Sequence, residues 1–212
     1  MSELFIGLDL GQTNDYTAMV AVEVVPVEVG KLPQHHIRHI SRFELGTPYP
    51  VIVDQVQQMV VNLAFQRKHL IVDSTGVGAP VVDLLRQAET NPIPVIITSG
   101  QEPGMTNGTW KVPKRDLVGI LSVLFTTGRL RIAQGLPEVQ NFVDELMAFQ
   151  VKVSTAGRDT YGAWREGSHD DLVLAAALAC WYAEKALGRP VRDVVMDRMN
   201  KKKAPSIWKW GE

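Results

Sequence analysis

Leu4, Ile6, Leu8 and Leu10 alternate with Phe5, Gly7 and Asp9, the period of two that sends successive side chains to opposite faces of a strand. The segment carries apolar residues on both faces until Asp9, so it reads as a buried strand that closes on a carboxylate. Residues 17–25 and 36–45 are β-branched or alternating and flank the turn-prone Val29-Gly-Lys-Leu-Pro33, which predicts a three-stranded meander. Over residues 51–66 the period changes: Val53, Val56, Met59, Val60, Leu63 and Ala64 recur at the spacing of one helix face. A second short strand, His69-Leu-Ile-Val-Asp73, again ends on an aspartate. Ser74-Thr-Gly-Val-Gly78 leads from it into a predicted helix over 79–88 with Pro80 in its first turn, and a further parallel-type strand over 93–98.

Residues 99–109 are rich in glycine and polar groups and read as a loop at a strand's end, where α/β proteins build sites. Leu117, Ile120, Leu121 and Leu124 predict a helix over 113–126; Leu136, Val139, Phe142, Val143 and Leu146 predict another over 135–149. Arg129-Leu-Arg-Ile132 is too short to assign. Residues 150–153 and 160–164 form a candidate hairpin across Thr155-Ala-Gly-Arg-Asp159. The last helix, 170–187, is apolar on nearly every side and stops at Gly188 and Pro190. Beyond it, residues 189–212 carry 7 basic and 3 acidic groups and few core residues. The pattern predicts one α/β domain over 1–188 and a basic, partly ordered tail over 189–212.

Composition adds limits. A chain of 212 residues, 45% apolar, suffices for one well-packed domain. No apolar stretch nears the roughly 18 residues that span a bilayer, and no basic lead with an apolar run opens the chain, so a soluble, cytoplasmic protein without a membrane partner is expected. Cys180, the single cysteine, lies in an apolar run and reads as a small core residue; Trp164 and Trp181 read as core aromatics. The net charge of −1 hides an asymmetry: residues 1–110 hold 6 basic and 11 acidic side chains, residues 111–212 hold 16 and 12. An acidic half with candidate metal ligands and a basic half able to meet a polyanion suit a nuclease.

Two-metal nucleases need carboxylates converging on ions about 3.5–4 Å apart. Adjacent strands about 4.8 Å apart can supply two of them if each ends on an acid, as Asp9 and Asp73 do; either alone could instead start a turn. Gly7 and Gly11 flank Asp9 and are expected to leave room for a ligand. The third candidate is Ser168-His169-Asp170-Asp171 at the head of the last helix. There Ser168 can serve as N-cap with both aspartates favourable to the helix dipole, which does not exclude metal binding. Asp171 is read as a direct ligand and Asp170 as a direct or water-mediated one. His35, His36 and His39 are read as surface histidines on a strand, His35 and His39 on one face.

Four pieces together resemble the nuclease domain of phage terminase large subunits: Gly7-Leu-Asp-Leu-Gly-Gln-Thr-Asn-Asp-Tyr-Thr-Ala18, Leu70-Ile-Val-Asp-Ser-Thr-Gly-Val-Gly78, Val112-Pro-Lys-Arg-Asp-Leu117, and Tyr161-Gly-Ala-Trp-Arg-Glu-Gly-Ser-His-Asp-Asp-Leu-Val-Leu-Ala175. The resemblance implies a ribonuclease-H-like fold, a central five-stranded mixed sheet flanked by helices, with Asp9 on the first strand, Asp73 on the fourth and Asp171 heading the last helix. It implies Mg2+ or Mn2+ bound by Asp9, Asp73 and Asp171, to which the reading of the helix head adds Asp170 for a site of two ions. The wider fold family, Holliday-junction resolvases included, often adds a lysine near the scissile phosphate; Lys114 looks like its counterpart, the alternative being a solvated first-turn lysine. Asp15 and His169 fall just outside the ligands. The implied activity is a metal-dependent endodeoxyribonuclease that cuts concatemeric DNA during genome packaging by two-metal phosphodiester hydrolysis, in the cytoplasm of a phage or prophage host. Arg115, Arg129, Arg131 and Arg165, with the 99–109 loop, are expected to hold the backbone of double-stranded DNA.

Nothing in the chain reads G-x-x-x-x-G-K-[ST], the phosphate cradle of a packaging ATPase. The chain then reads as an excised domain, a split-gene product or a prophage remnant, and the expected partners are a separate packaging ATPase, a portal or a small terminase subunit. One alternative is a nucleotide-binding ATPase of the actin and heat-shock class, whose first phosphate loop Gly7-Leu-Asp-Leu-Gly-Gln-Thr-Asn14 resembles. Tight ATP binding without DNA cleavage would favour it. Another is a non-catalytic packaging assembly module, for which the tail residues Lys201, Lys202, Lys203, Trp208 and Trp210 suit DNA stacking or docking.

Overall fold

The alternation along Glu3–Asp9 makes that segment a strand, β1, with a different core on each face. Leu4, Ile6, Leu8 and Leu10 face one core and Phe5 the other. β1 pairs antiparallel with β2 (Ala18–Val25), which pairs antiparallel with β3 (Gln34–Arg42), giving the expected meander. A bulge where Ala21 and Val22 face β3 turns both Ile37 and Ile40 into the second core, so His39 leaves the face that His35 occupies. Helix α1 (Tyr49–Asn62) crosses to β4 (Lys68–Asp73), parallel to β1, and α2 (Gly78–Gln87) crosses to β5 (Pro92–Thr98), parallel to β4. β5-β4-β1-β2-β3 is the five-stranded mixed sheet foreseen. In this computed structural model residues 2–11, 15–27, 31–76, 78–100, 102–155 and 170–188 are described.

The described sheet is wider than expected. With β6 (Gly104–Thr106) and β7 (Thr109–Pro113) beyond β5, and β8 (Leu130–Ile132) beyond β3, it has eight strands in the order β6-β7-β5-β4-β1-β2-β3-β8. The hairpin lies within and just after the predicted 99–109 loop. Its turn is Asn107-Gly108 with φ of 50° and 76°, the successive positive angles of a two-residue hairpin turn. β8 is held by parallel pairing to His35–Ile37, a contact that no local pattern announces.

Three helices complete the fold: α3 (Lys114–Thr126), α4 (Val139–Thr155) and α5 (Asp171–Ala186). α4 starts later than expected because Gly135 and Glu138 have φ of 73° and 61°, outside helical space. It also continues through residues 150–153, which overturns the predicted strand there. The alternation of Val151 and Val153 is a two-residue signal, and a helix already propagating adds one hydrogen bond for each residue fixed. The other half of that hairpin, Arg165, Ser168, His169 and the tail 189–212 lie outside the described residues.

α1 and α2 cover the Leu4, Ile6 and Leu8 face through Ile52, Val53, Val56, Val81, Val82 and Leu85. α3, α4 and α5 cover the other, and α5, apolar all round, is buried between the sheet and α3. Cys180 and Trp181 are core residues on α5, and burial raises the Cys180 thiol far above its usual range. The contact that fixes α5 on the sheet is Gly7: a Cβ there would sit 1.8 Å from the carbonyl oxygen of Ala175. Gly7 thus makes room for the α5 backbone, not for a ligand. Gly11 likewise serves the chain itself, since a Cβ would lie 2.1 Å from the Asp15 carbonyl oxygen. Among the described residues no helix is long and apolar enough to cross a membrane.

Candidate active site

β1 and β4 run parallel with Leu8 beside Val72, so each delivers its terminal aspartate, Asp9 and Asp73, at the same edge of the sheet. Asp73 is held by its own turn: its Oδ1 accepts the Thr75 N–H at 2.8 Å, Thr75 Oγ1 accepts the Ile97 N–H at 2.9 Å, and the Ser74 hydroxyl donates to Val95 at 3.0 Å. The turn role foreseen for an acid at a strand end is therefore real here. It also pins the carboxylate between β4 and β5. Beyond Asp9, the chain is tied down by the Tyr49 hydroxyl, which donates to the Gly11 carbonyl at 2.9 Å, and by the Gly11 N–H, which donates to Thr17 Oγ1 at 3.2 Å.

Because α5 crosses the sheet on Gly7, its N-terminus lands beside Asp9. Asp170 is the N-cap residue and Asp171 the first helical residue. Asp170 makes no side-chain cap; its Oδ2 accepts from Lys114 Nζ at 3.3 Å. Lys114 opens α3 immediately after β7. The edge thus brings Asp9, Asp73, Asp170, Asp171 and Lys114 into one electrostatic neighbourhood. Burial, followed by the charges of Asp73, Asp171 and Asp170, holds the Asp9 carboxyl well above the usual carboxylate range. Asp73 is also raised, by burial, against the opposing pull of its Thr75 hydrogen bonds and of Lys114. Among the described residues no three acidic, histidine or cysteine side chains stand as a ready-made metal cage. The carboxylates are turned instead to partners within the protein, Asp73 to Thr75, Asp170 to Lys114 and Asp171 towards Arg42, 3.7 Å away.

The fold as a whole is similar to that of solved nucleases. The chain has the ribonuclease-H-like fold of the terminase nucleases. The large terminase nuclease from thermophilic phage G20c superposes with a TM-score of 0.52 at 19% identity, covering 84% of this chain and 81% of that one. The human cytomegalovirus terminase nuclease domain gives 0.51 at 15% identity over 87% and 86%. RuvC of Thermus thermophilus follows at 0.38 and 13% identity over 86% and 96%. No family model matches the sequence, and neither does any curated protein sequence.

Within this terminase-nuclease fold two residues at the site escaped sequence reasoning. Arg42, at the end of β3, pairs with Glu145 of α4, lies 3.7 Å from Asp171 Oδ2, and stands 5.0 Å from the centre of the Tyr16 ring. Glu145 Oε2 accepts the N–H groups of Leu172 and Val173 at 3.1 and 3.2 Å. The two partners are 103 residues apart in the chain, so no local spacing could reveal them.

Two other expectations are corrected, those for His35 and Arg129. His35 is fully buried, with Nε2 3.3 Å from Glu184 Oε1, because β8 covers its edge of the sheet. Arg129 is buried too, paired with Glu184 and donating through Nε to the Pro33 carbonyl at 2.9 Å, so it does not present its charge to DNA. Arg131 and Arg115 are both exposed, Arg115 beside Asp116. Asp15 is exposed.

Proposed function

We propose that this chain is a divalent-metal-dependent DNA endonuclease of the terminase large-subunit type, cutting concatemeric double-stranded DNA during genome packaging. The observation that carries the reading is the convergence of four aspartates on one sheet edge, with Asp9 buried among the charges of the other three. Desolvation and like charge both oppose ionisation of Asp9, and bound cations would offset both. Hard oxygen donors in this number fit Mg2+ or Mn2+, with Asp9, Asp73, Asp170 and Asp171 as the holding residues. Such ions, when bound, would supply Lewis-acid charge for phosphodiester hydrolysis.

The residues themselves do the positioning. Asp9 and Asp73 are fixed by parallel strands and Asp170 and Asp171 by the end of a buried helix, so the donors reach the site with little conformational freedom left to lose. Lys114, now paired with Asp170, is placed to offset negative charge on a phosphate brought to the same edge. Contacts to the DNA backbone fall to exposed basic groups such as Arg115 and Arg131, without base reading. A packaging ATPase, a portal or a small terminase subunit is the partner class that goes with this reading.

The test is plasmid nicking in Mn2+. Asp73→Asn should slow it on the order of 100-fold, the scale of removing one preorganised electrostatic group. An Asp73→Asn protein that nicks as fast as the parent would rule out the assignment.

A further inference from the structure

Asp170 occupies the N-cap position of α5 and yet leaves the cap unmade, its carboxylate being turned to Lys114. The first-turn N–H groups of a helix need acceptors when the terminus is buried. Here Leu172 and Val173 donate theirs to Glu145 Oε2, from a different helix. Glu145 Oε1 is in turn held by Arg42, and Arg42 stands 3.7 Å from Asp171 Oδ2 and 4.0 Å from Glu138. Glu145 and Arg42 are both largely buried, with side-chain exposures of 8% and 15%. Their network joins β3, α4 and the head of α5, and it meets the candidate ligands at Asp171 and through the α5 backbone.

We propose that Glu145 and Arg42 are positioning residues. Glu145 caps α5 in place of Asp170, releasing that carboxylate for the site, while Arg42 locks Glu145 and sets the direction of Asp171. This rests on the reading of the four aspartates as metal ligands. Residues that orient metal ligands from outside typically change metal affinity or activity by about 10–100-fold when removed. A purely architectural cap would instead cost stability alone, of order 0.5–2 kcal/mol for an ordinary cap.

The experiment uses the whole chain and Mn2+ as probe. Mn2+ binding is followed by the electron paramagnetic resonance signal of free ion, and plasmid nicking is resolved into kcat and KM for DNA. Glu145→Ala should weaken Mn2+ binding by about tenfold and lower kcat far more than it raises KM. Glu145→Gln keeps an acceptor for the Leu172 and Val173 N–H groups and should recover most of the loss. If Glu145→Ala does not fold, Arg42→Gln is measured in its place, with the same expected drop in Mn2+ affinity. A folded Glu145→Ala or Arg42→Gln protein with parental Mn2+ affinity and parental kcat overturns the proposal, even if its melting temperature falls. A parent that binds Mn2+ but leaves DNA intact overturns the nuclease reading alone, since the affinity comparison then still decides the role of Glu145 and Arg42. A parent that binds no Mn2+ overturns both.

Discussion

Asp9 concentrates the account's chemistry in one side chain. Its folded-state carboxyl is raised by burial and by three neighbouring carboxylates, so the folded protein holds that proton more tightly than the unfolded chain does. The resulting stability is fully present below the ordinary aspartate pKa and is lost as pH rises through the raised value. Glu145, pushed up by burial to about 7 against the pull of Arg42, acts in the same direction, and its share is lost between its ordinary value and about 7. Without divalent ions, the urea midpoint is therefore expected to fall between pH 5 and 8. Mn2+ should restore it at pH 8, because an ion that binds only the folded state adds stability by mass action. A flat profile that Mn2+ leaves unchanged would contradict this picture. The buried trio of His35, Arg129 and Glu184 gives a second residue-level prediction. Glu184→Ala strands the Arg129 charge inside the protein and should cost about 3–5 kcal/mol in chemical denaturation, whereas a loss below 1 kcal/mol would show that water reaches Arg129.

At the scale of elements, α5 is the part on which the site depends. It is apolar on every face because it is buried on every face, and its N-terminus can meet Asp9 only because Gly7 admits its backbone. Gly7→Ala forces β1 and α5 apart and is expected to destabilise by about 1–3 kcal/mol or more, as overpacking does. It should weaken Mn2+ binding as well, since Asp171 moves with the helix; equal stability and affinity in the variant would contradict the packing seen. The acids Asp9, Asp73, Asp170 and Asp171 and the lysine Lys114 were all legible in the sequence, because strand period, helix head and motif spacing are local signals. The hairpin around Asn107-Gly108 was not legible, because its first strand, Gly104–Thr106, is too short to show alternation. Arg42, Glu145 and the burial of His35 and Arg129 were not legible either. Each depends on pairings between distant segments, β3 with β8 and α4 with α5, that a one-dimensional pattern does not encode.

Seen as a whole, the molecule draws Asp9 and Asp73 from its acidic first half and Asp170 and Asp171 from its basic second half, whose exposed groups, Arg115 and Arg131 among those described, are the ones expected to meet a polyanion. DNA binding should weaken steeply with salt. Arg115→Ala should reduce the salt slope by about one if Arg115 contacts a phosphate, measured by fluorescence anisotropy on duplexes of unrelated sequence; an unchanged slope would remove Arg115 from the interface. The central claim is that the sheet edge where β1, β4 and α5 meet is a two-ion hydrolytic centre. Anomalous diffraction from a crystal soaked in Mn2+ tests it most directly. Two peaks about 3.5–4 Å apart, within bonding distance of Asp9, Asp73 and the Asp170 and Asp171 pair, are predicted; a crystal saturated with Mn2+ that shows no peak among these aspartates would contradict the account.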